Sequence, residues 1–322
     1  MNFTLSQMDK RCESLVEFLW KHRDDYGLNF IKLHSGAQII DAGVSTPGSL
    51  EAGRFLIELS HGGLCTTSLD LTDIESIVLP QITVQSFFPT LSTYGLQACC
   101  DFEGVMVSGP IRLILESRLT DELHIDSDAP SACGIAIVQS DDFPSETWVK
   151  SLADCCGLRP QELTLLVAPT SSAAGTTQIA GRMNENVIFS LEKSIGFDST
   201  KVKQLVGSSP IAPLSKNLLS FDRPFPDDLL HYAAKAFLVL DADPEDDVQK
   251  LAEALCFRST SIYGKFFGDV LEEVNGVFMD IPDLLHINKI SQVTINDLNT
   301  GLLYNAGQQE TGLLKELLSQ GK

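Results

Sequence analysis

The stretch Leu163 to Glu185, L-T-L-L-V-A-P-T-S-S-A-A-G-T-T-Q-I-A-G-R-M-N-E, constrains the fold more than any other part of the chain, because an apolar run, a small-residue turn and a charged pair follow without a gap. Leu163, Leu165, Leu166, Val167 and Ala168 have the apolar character of a buried strand, and Pro169 ends it. The Ser/Ala/Gly/Thr run that follows lets backbone approach a ligand closely before a helical pattern begins. On that helix Arg182 and Glu185, three positions apart, share one face. The plain alternative is a solvated ion pair on a surface helix, worth about 0.2 to 0.5 kcal/mol.

With 322 residues, of which 43% are hydrophobic and 20% charged, the chain has material for a sizeable core and a length that suggests about two domains. Lys and Arg total 23 against 43 Asp and Glu, a formal net charge of -20. That balance argues against a nucleic-acid surface or an anionic membrane as partner, since both call for a concentrated basic footprint. No apolar run reaches membrane-spanning length, and the N-terminus M-N-F-T-L-S-Q-M-D-K lacks the basic-then-apolar order of a secretory signal, so a cytoplasmic location is expected.

Eight cysteines include the adjacent pairs Cys99/Cys100 and Cys155/Cys156, and no C-x-x-C occurs. Reduced, buried thiols are the expectation. His22, His34, His61, His124, His231 and His286 form no H-x-x-x-H or His/carboxylate cluster, so neither a catalytic metal nor another cofactor is expected. The Gly175 to Arg182 segment has five residues between its glycines and then Arg-Met, where a Walker A loop needs four and then Lys-Ser/Thr. There is no G-x-G-x-x-G for a dinucleotide and no G-x-S-x-G elbow to make Ser171 or Ser172 a hydrolase nucleophile.

Leu5, Met8, Cys12, Leu15, Val16 and Leu19 recur at helical spacing, giving an amphipathic opening helix that ends near Gly27. Strands are expected around 37–40, 82–84, 105–107, 133–138 and 235–240, and helices near 50–59, 91–99, 146–156, 246–256 and 310–318. A hairpin-like pair covers 293–298 and 302–304. Asp121 to Ala129 and Phe221 to Asp228 read as loops. The mixture predicts an α/β (mixed α+β) protein of two domains, 1–167 and 168–322, with a substrate crevice between them. Ser108-Gly109-Pro110 with Arg112, and Gly207 to Pro210, are either tight turns or ligand-lining loops.

The Leu163 to Glu185 stretch resembles the methenyltetrahydromethanopterin cyclohydrolase family, in which L-L-V-A-P-T precedes a small-residue turn, Q-I-x-G-R and a glutamate. Further family-like segments occur in the family's order: D-A-G-V from Asp41, E-A-G from Glu51, G-G-L from Gly62, S-G-P-x-R from Ser108, P-I-A-P from Pro210, Y-G-K-x-F from Tyr263 and N-D-L-x-T-G from Asn296. The resemblance implies a cytoplasmic, metal-free homotrimer that opens the methenyl bridge of a pterin with water to give the 5-formyl derivative, as part of methanogenesis or formaldehyde oxidation. It implies Glu185 as the base that activates water and Arg182 as the residue that orients it. Ser108, Gly109, Arg112, Thr170, Ser171, Gln178 and Pro210 are expected to line the substrate. An inactive pterin-binding homologue and another one-carbon pterin enzyme, such as a formyltransferase, are the rival readings. Where family members carry Y-G-G, this chain has Tyr232-Ala233-Ala234, so the path of that segment and the recognition of the substrate tail are open.

Overall fold

The computed structural model describes residues 5–123, 125, 134–214 and 224–320. His124 and Cys133, and parts of the expected loops at 121–129 and 221–228, lie outside them. In chain order the described strands are β1 Asn29–Lys32, β2 Gln38–Asp41, β3 Cys65–Ile74, β4 Ile77–Ser86, β5 Cys100–Phe102, β6 Val105–Ser108, β7 Gly134–Gln139, β8 Leu163–Ala168, β9 Val202–Pro210, β10 Lys235–Leu240, β11 Gln292–Asp297 and β12 Leu303–Gly307. The α-helices are α1 Leu5–Lys21, α2 Leu50–Ser60, α3 Arg112–Leu115, α4 Arg118–Glu122, α5 Glu146–Cys155, α6 Ala173–Ala180, α7 Met183–Phe189, α8 Pro226–Ala233, α9 Val248–Ala254, α10 Phe267–Glu273, α11 Leu284–Ile287 and α12 Thr311–Gln320. The mixed α/β class expected from the sequence is the one observed. The chain divides into two compact units, 1–66 with 91–178 and 67–90 with 179–322.

The first unit is built on a six-stranded sheet in the order β1-β2-β8-β7-β6-β5. Its centre, β2-β8-β7, is parallel, and β1, β6 and β5 add antiparallel pairs. The parallel strands are buried on both faces, which is why β7 and β8 read as near-continuous apolar runs in the sequence. On one face Ile39, Val107, Ala136, Val138, Leu165 and Val167 pack with Trp148, Val149 and Leu152 of α5. Each of the Val, Leu and Ile side chains among these contributes about 1.5 to 3 kcal/mol by leaving water. α5 begins at Ser145, whose hydroxyl accepts a hydrogen bond from the Trp148 amide at 3.2 Å, and α2 begins likewise at Ser49, which accepts from Ala52 at 3.0 Å.

The second unit carries a six-stranded sheet in the order β12-β11-β10-β9-β4-β3. Here β10 and β11 are parallel, while β11-β12, β9-β10 and β4-β9 are antiparallel. Leu205, Leu238, Ile295 and Ala306 point to one face and are buried, as the period of two requires. α7, α8 and α9 pack on this sheet. Beside it Tyr232, Leu229, Phe257 and Leu314 form a buried cluster. Tyr232 and Ala233 end α8 and Ala234 caps it at φ -67°, so the alanines that replace the family's glycines sit in backbone that any residue adopts. Pro226 to Asp228, read as loop, open α8. Asp228, 0% exposed, accepts hydrogen bonds from the amides of Phe225 (3.0 Å) and Phe267 (2.7 Å), tying the amino ends of α8 and α10 together where neither N-terminal phenylalanine has a capping oxygen.

Candidate active site

In the first unit, family-like segments meet at the carboxyl ends of neighbouring parallel strands, the position where open α/β sheets present ligand sites. Asp41 at the end of β2 lies in register with Val167 of β8, and the Ala42 amide donates to the Val167 carbonyl at 2.9 Å. The Asp41 carboxylate is fully buried and accepts from the amides of Gly43 (3.0 Å), Val44 (2.8 Å) and Ser45 (3.0 Å) and from the Ser45 hydroxyl (2.6 Å). Burial pushes this carboxyl up, but the hydrogen bonds outweigh it and hold Asp41 below the usual aspartate range. The D-A-G-V segment is thus a loop wound around its own anion.

Next to it, the turn after Pro169 is closed by Ser172, whose hydroxyl donates to the Pro169 carbonyl at 2.9 Å and accepts from the Gly175 amide at 3.0 Å. A Cβ at Gly175 would stand 1.8 Å from the Pro169 carbonyl oxygen, so only glycine fits there. Thr170 is held by Gln139, at the end of β7, through a 2.5 Å hydrogen bond to its hydroxyl, and Ser171 follows it half-buried. In α6, Gln178 is 3% exposed, and the hydroxyl oxygen of Thr176, 2% exposed, has no hydrogen-bond partner among the described residues. Such an orphaned buried group costs about 1 to 3 kcal/mol and marks a position to examine for function.

Ser108, Gly109 and Arg112 gather elsewhere on the same sheet. Ser108 ends β6 opposite Ile137, Gly109 turns at φ +97° with its amide on the Leu96 carbonyl at 2.8 Å, and Ile111 bonds to Ile135 near the amino end of β7. Thr170, by contrast, is tied to the carboxyl end of that strand. Arg112, 5% exposed, donates to the carbonyls of Tyr94 and Gly95 and pairs with Glu116 at 2.7 Å. Tyr94 and Gly95 belong to the π-helical segment Thr90–Gln97, expected as an ordinary helix; its wide turn leaves carbonyls for a guanidinium to bind. Arg112 therefore braces this segment through Nη1 and Nε of its guanidinium.

The second unit holds the charged pair. The helical pattern expected to run through Arg182 breaks there, and Arg182 becomes the residue preceding α7, with Glu185 in the first turn. Arg182 Nη2 lies 3.1 Å from Glu185 Oε2, and the side chains are 13% and 4% exposed. A solvated surface pair is excluded by that burial. Glu185 Oε2 has no aligned hydrogen bond among the described residues, although the cation stands beside it.

Between the two, Asn184 anchors the helix. It is 0% exposed and donates to the Val84 carbonyl at 3.0 Å and the Ser86 hydroxyl at 2.9 Å on β4. α7 lies so close to β9 that a Cβ at Gly207 would stand 2.3 Å from Asn184 Oδ1 and 2.4 Å from Met183 Cγ. Pro210 ends the same strand, buried, in register with Gln81. Sequence reasoning missed Asn184, Thr176 and Gln139. Their only signal was a polar residue placed among apolar neighbours, which does not say whether the side chain is buried.

Among the described residues no group of three or more His, Cys, Asp and Glu is placed to hold a metal ion, and no helix is long and apolar enough to cross a membrane. Cys100 and Cys156, free thiols packed against the first unit's core, are pushed up by burial to about 11 and about 12.

The family described as Cyclohydrolase (MCH) matches residues 7–318. A methenyltetrahydromethanopterin cyclohydrolase of Methanococcus maripaludis is 31% identical over 311 residues, covering 94% of this chain and 95% of that one. The enzymes of that name from Methanococcus vannielii and Methanothermobacter marburgensis are 33% and 32% identical, each alignment covering 92% of this chain and 93% of the relative. With the family match running nearly end to end and relatives at this identity over almost their full length, the chain belongs to the MCH cyclohydrolase family.

Proposed function

We propose that this protein is a methenyltetrahydromethanopterin cyclohydrolase, which adds water across the 5,10-methenyl bridge of tetrahydromethanopterin, or of its dephosphorylated form, and releases the 5-formyl compound and a proton. The observation that carries the reading is the buried Arg182–Glu185 pair with a carboxylate oxygen that lacks an aligned donor. A water held on that oxygen is placed to attack the bridging carbon while its proton passes to Glu185. Glu185 then returns that proton to N10 as the bond from the carbon to N10 breaks, the hydroxyl proton is released to solvent, and the carbon stays on N5 as a formyl group. Arg182 fixes the carboxylate's orientation through the planar guanidinium. Because the methenyl carbon is already electrophilic, holding water at reacting distance contributes alongside proton removal.

In this reading Ser108, Gly109, Arg112, Thr170, Ser171, Gln178 and Pro210 are the residues assigned to substrate binding. The enzyme acts in the cytoplasm as a homotrimer, and its chemistry uses neither a metal nor a cofactor beyond the pterin substrate.

The test is loss of the methenyl chromophore's near-ultraviolet absorbance when purified protein is mixed with substrate in buffer alone. Binding without loss of absorbance identifies an inactive pterin-binding homologue, and loss only after a second substrate is added identifies a group-transferring enzyme. Either result overturns the proposal.

A further inference from the structure

One face of the second sheet is under helices; among the described residues the central row of the other is exposed or half-buried. Asn305, Thr294, Phe237, Val206 and Gln85 are successive register partners across β12, β11, β10, β9 and β4, so their side chains form one row on one face. Residues two positions along each strand extend that face into two flanking rows, while the alternate residues, such as Leu238 and Leu205, are the buried ones beneath the helices. Phe237 in the middle of the face is 40% exposed, and Leu303 at its edge is 58% exposed.

The composition of this face is unlike that of a sheet surface built to face water. Across the three rows the only charged side chain is Lys235, and none is a carboxylate, in a chain with 43 Asp and Glu and a net charge of -20. What fills it is β-branched, aromatic and amide side chains, with the Thr294 hydroxyl and Asn305 bonded across strands at 2.8 Å. Depletion of charge distinguishes the centre of a protein interface from ordinary surface, where bulk hydrophobicity does not. Two copies of so acidic a chain repel each other over most orientations, and a patch without carboxylates is where that repulsion is least.

The sheet itself supplies more than half of the area that such a contact needs. Five strands about 4.8 Å apart and three rows about 7 Å apart span roughly 500 Å² of flat sheet. A stable interface takes about 800 Å² from each partner. Side-chain relief and the turn next to Leu303, where Leu298 and Leu302 are 51% and 56% exposed, supply apolar surface at the rim.

We propose that a second copy of this chain docks on the face of the second sheet that carries Phe237, with Phe237 and Val206 at the centre of the contact. The inference rests on the self-assembly in the proposed function but not on the number of copies. Sedimentation velocity at micromolar concentration gives an assembly larger than the 35.1 kDa chain for the wild type, and a single chain for Phe237→Asp/Val206→Asp with an unchanged circular dichroism spectrum. A second measurement needs no variant. Acetylation of Lys235 by an N-hydroxysuccinimide ester, read by mass spectrometry, is at least about fivefold slower in the assembled wild type than after dilution to single chains. A wild type that sediments as a single chain overturns the self-assembly itself. A wild type that assembles while Lys235 reacts equally fast in both states, or while the double variant keeps its mass, overturns this surface and leaves the catalytic reading untouched.

Discussion

Glu185 stands 3.1 Å from Arg182 in the first turn of a helix whose preceding residue is that arginine, and both side chains are withdrawn from water. Glu185→Gln keeps the volume and removes the base, so turnover falls by about two to four orders of magnitude, the usual range for losing a general base, with a much smaller change in KM. A folded variant with near wild-type turnover would return the pair to a purely structural role. Steady-state kinetics on the methenyl substrate makes the measurement.

Arg182→Lys keeps the charge and loses the planar fork, so kcat drops by at least tenfold if the guanidinium orients the carboxylate. As the two residues act as one unit, adding Arg182→Lys to Glu185→Gln slows the reaction little beyond the single change. Multiplicative losses would mean that the arginine works on the substrate independently of Glu185.

Much of the architecture was readable. The strand Leu163–Ala168 and the hairpin of β11 and β12 follow from apolar runs and turn signals that a buried strand carries on its own. The β3–β4 pair was harder. β3, C-T-T-S-L-D-L-T-D-I, is polar at most of its exposed positions, and the turn after it puts positive φ on Glu75 (51°) and Ser76 (72°) where Asn-Gly would have announced a hairpin. At the site, the spacing of Arg182 and Glu185 was legible but their burial was not. Burial there depends on α7 lying against β9 at Gly207, and Asn184 reaching β4 across 100 residues of sequence. Asp41's grip on its own loop was equally hidden, because it matters only once β2 has paired with β8.

That close approach makes Gly207 a sharp probe. Gly207→Ala puts a methyl group 2.3 Å from Asn184 Oδ1, and the clash costs about 1 to 3 kcal/mol of stability as α7 shifts away. Turnover falls more than KM rises, because Glu185 moves with the helix. Gly312→Ala in α12, where an added Cβ meets nothing within 4 Å, is the control and leaves kcat unchanged. Equal effects of the two substitutions on urea midpoint and kcat would rule out the mechanical link.

Dialysis against a strong chelator leaves the rate unchanged, as expected when no group of three ligating side chains is assembled among the described residues. A loss of activity restored by added divalent metal would overturn the proposed metal-free chemistry.

Two buried groups on α8 make stability depend on pH in opposite senses. His231 stacks on Phe257 at 3.9 Å and 2°, and burial pulls it from the usual 6.5 down to about 3. The unfolded chain takes up that proton first, so the histidine's contribution is full above pH 6.5 and is lost as pH falls toward 3. Asp228 is pushed the other way, from 3.8 to about 7, chiefly by burial, which outweighs the opposing hydrogen bonds from its two amide donors, with Asp227 and Asp269 adding to the rise. Here the folded state holds the proton, so stability falls as pH rises from about 4 to 7. Between pH 4 and 6.5 the two slopes, each about 1.4 kcal/mol per pH unit at most, nearly cancel. Asp228→Asn therefore uncovers the histidine: relative to wild type, its unfolding free energy from urea titration declines as pH drops from 6.5 to 4.5. His231→Phe uncovers the aspartate, and its stability relative to wild type increases over the same interval. If both differences stayed constant with pH, the two groups would be titrating alike in the folded and unfolded chains, and the buried pair would have no part in acid stability.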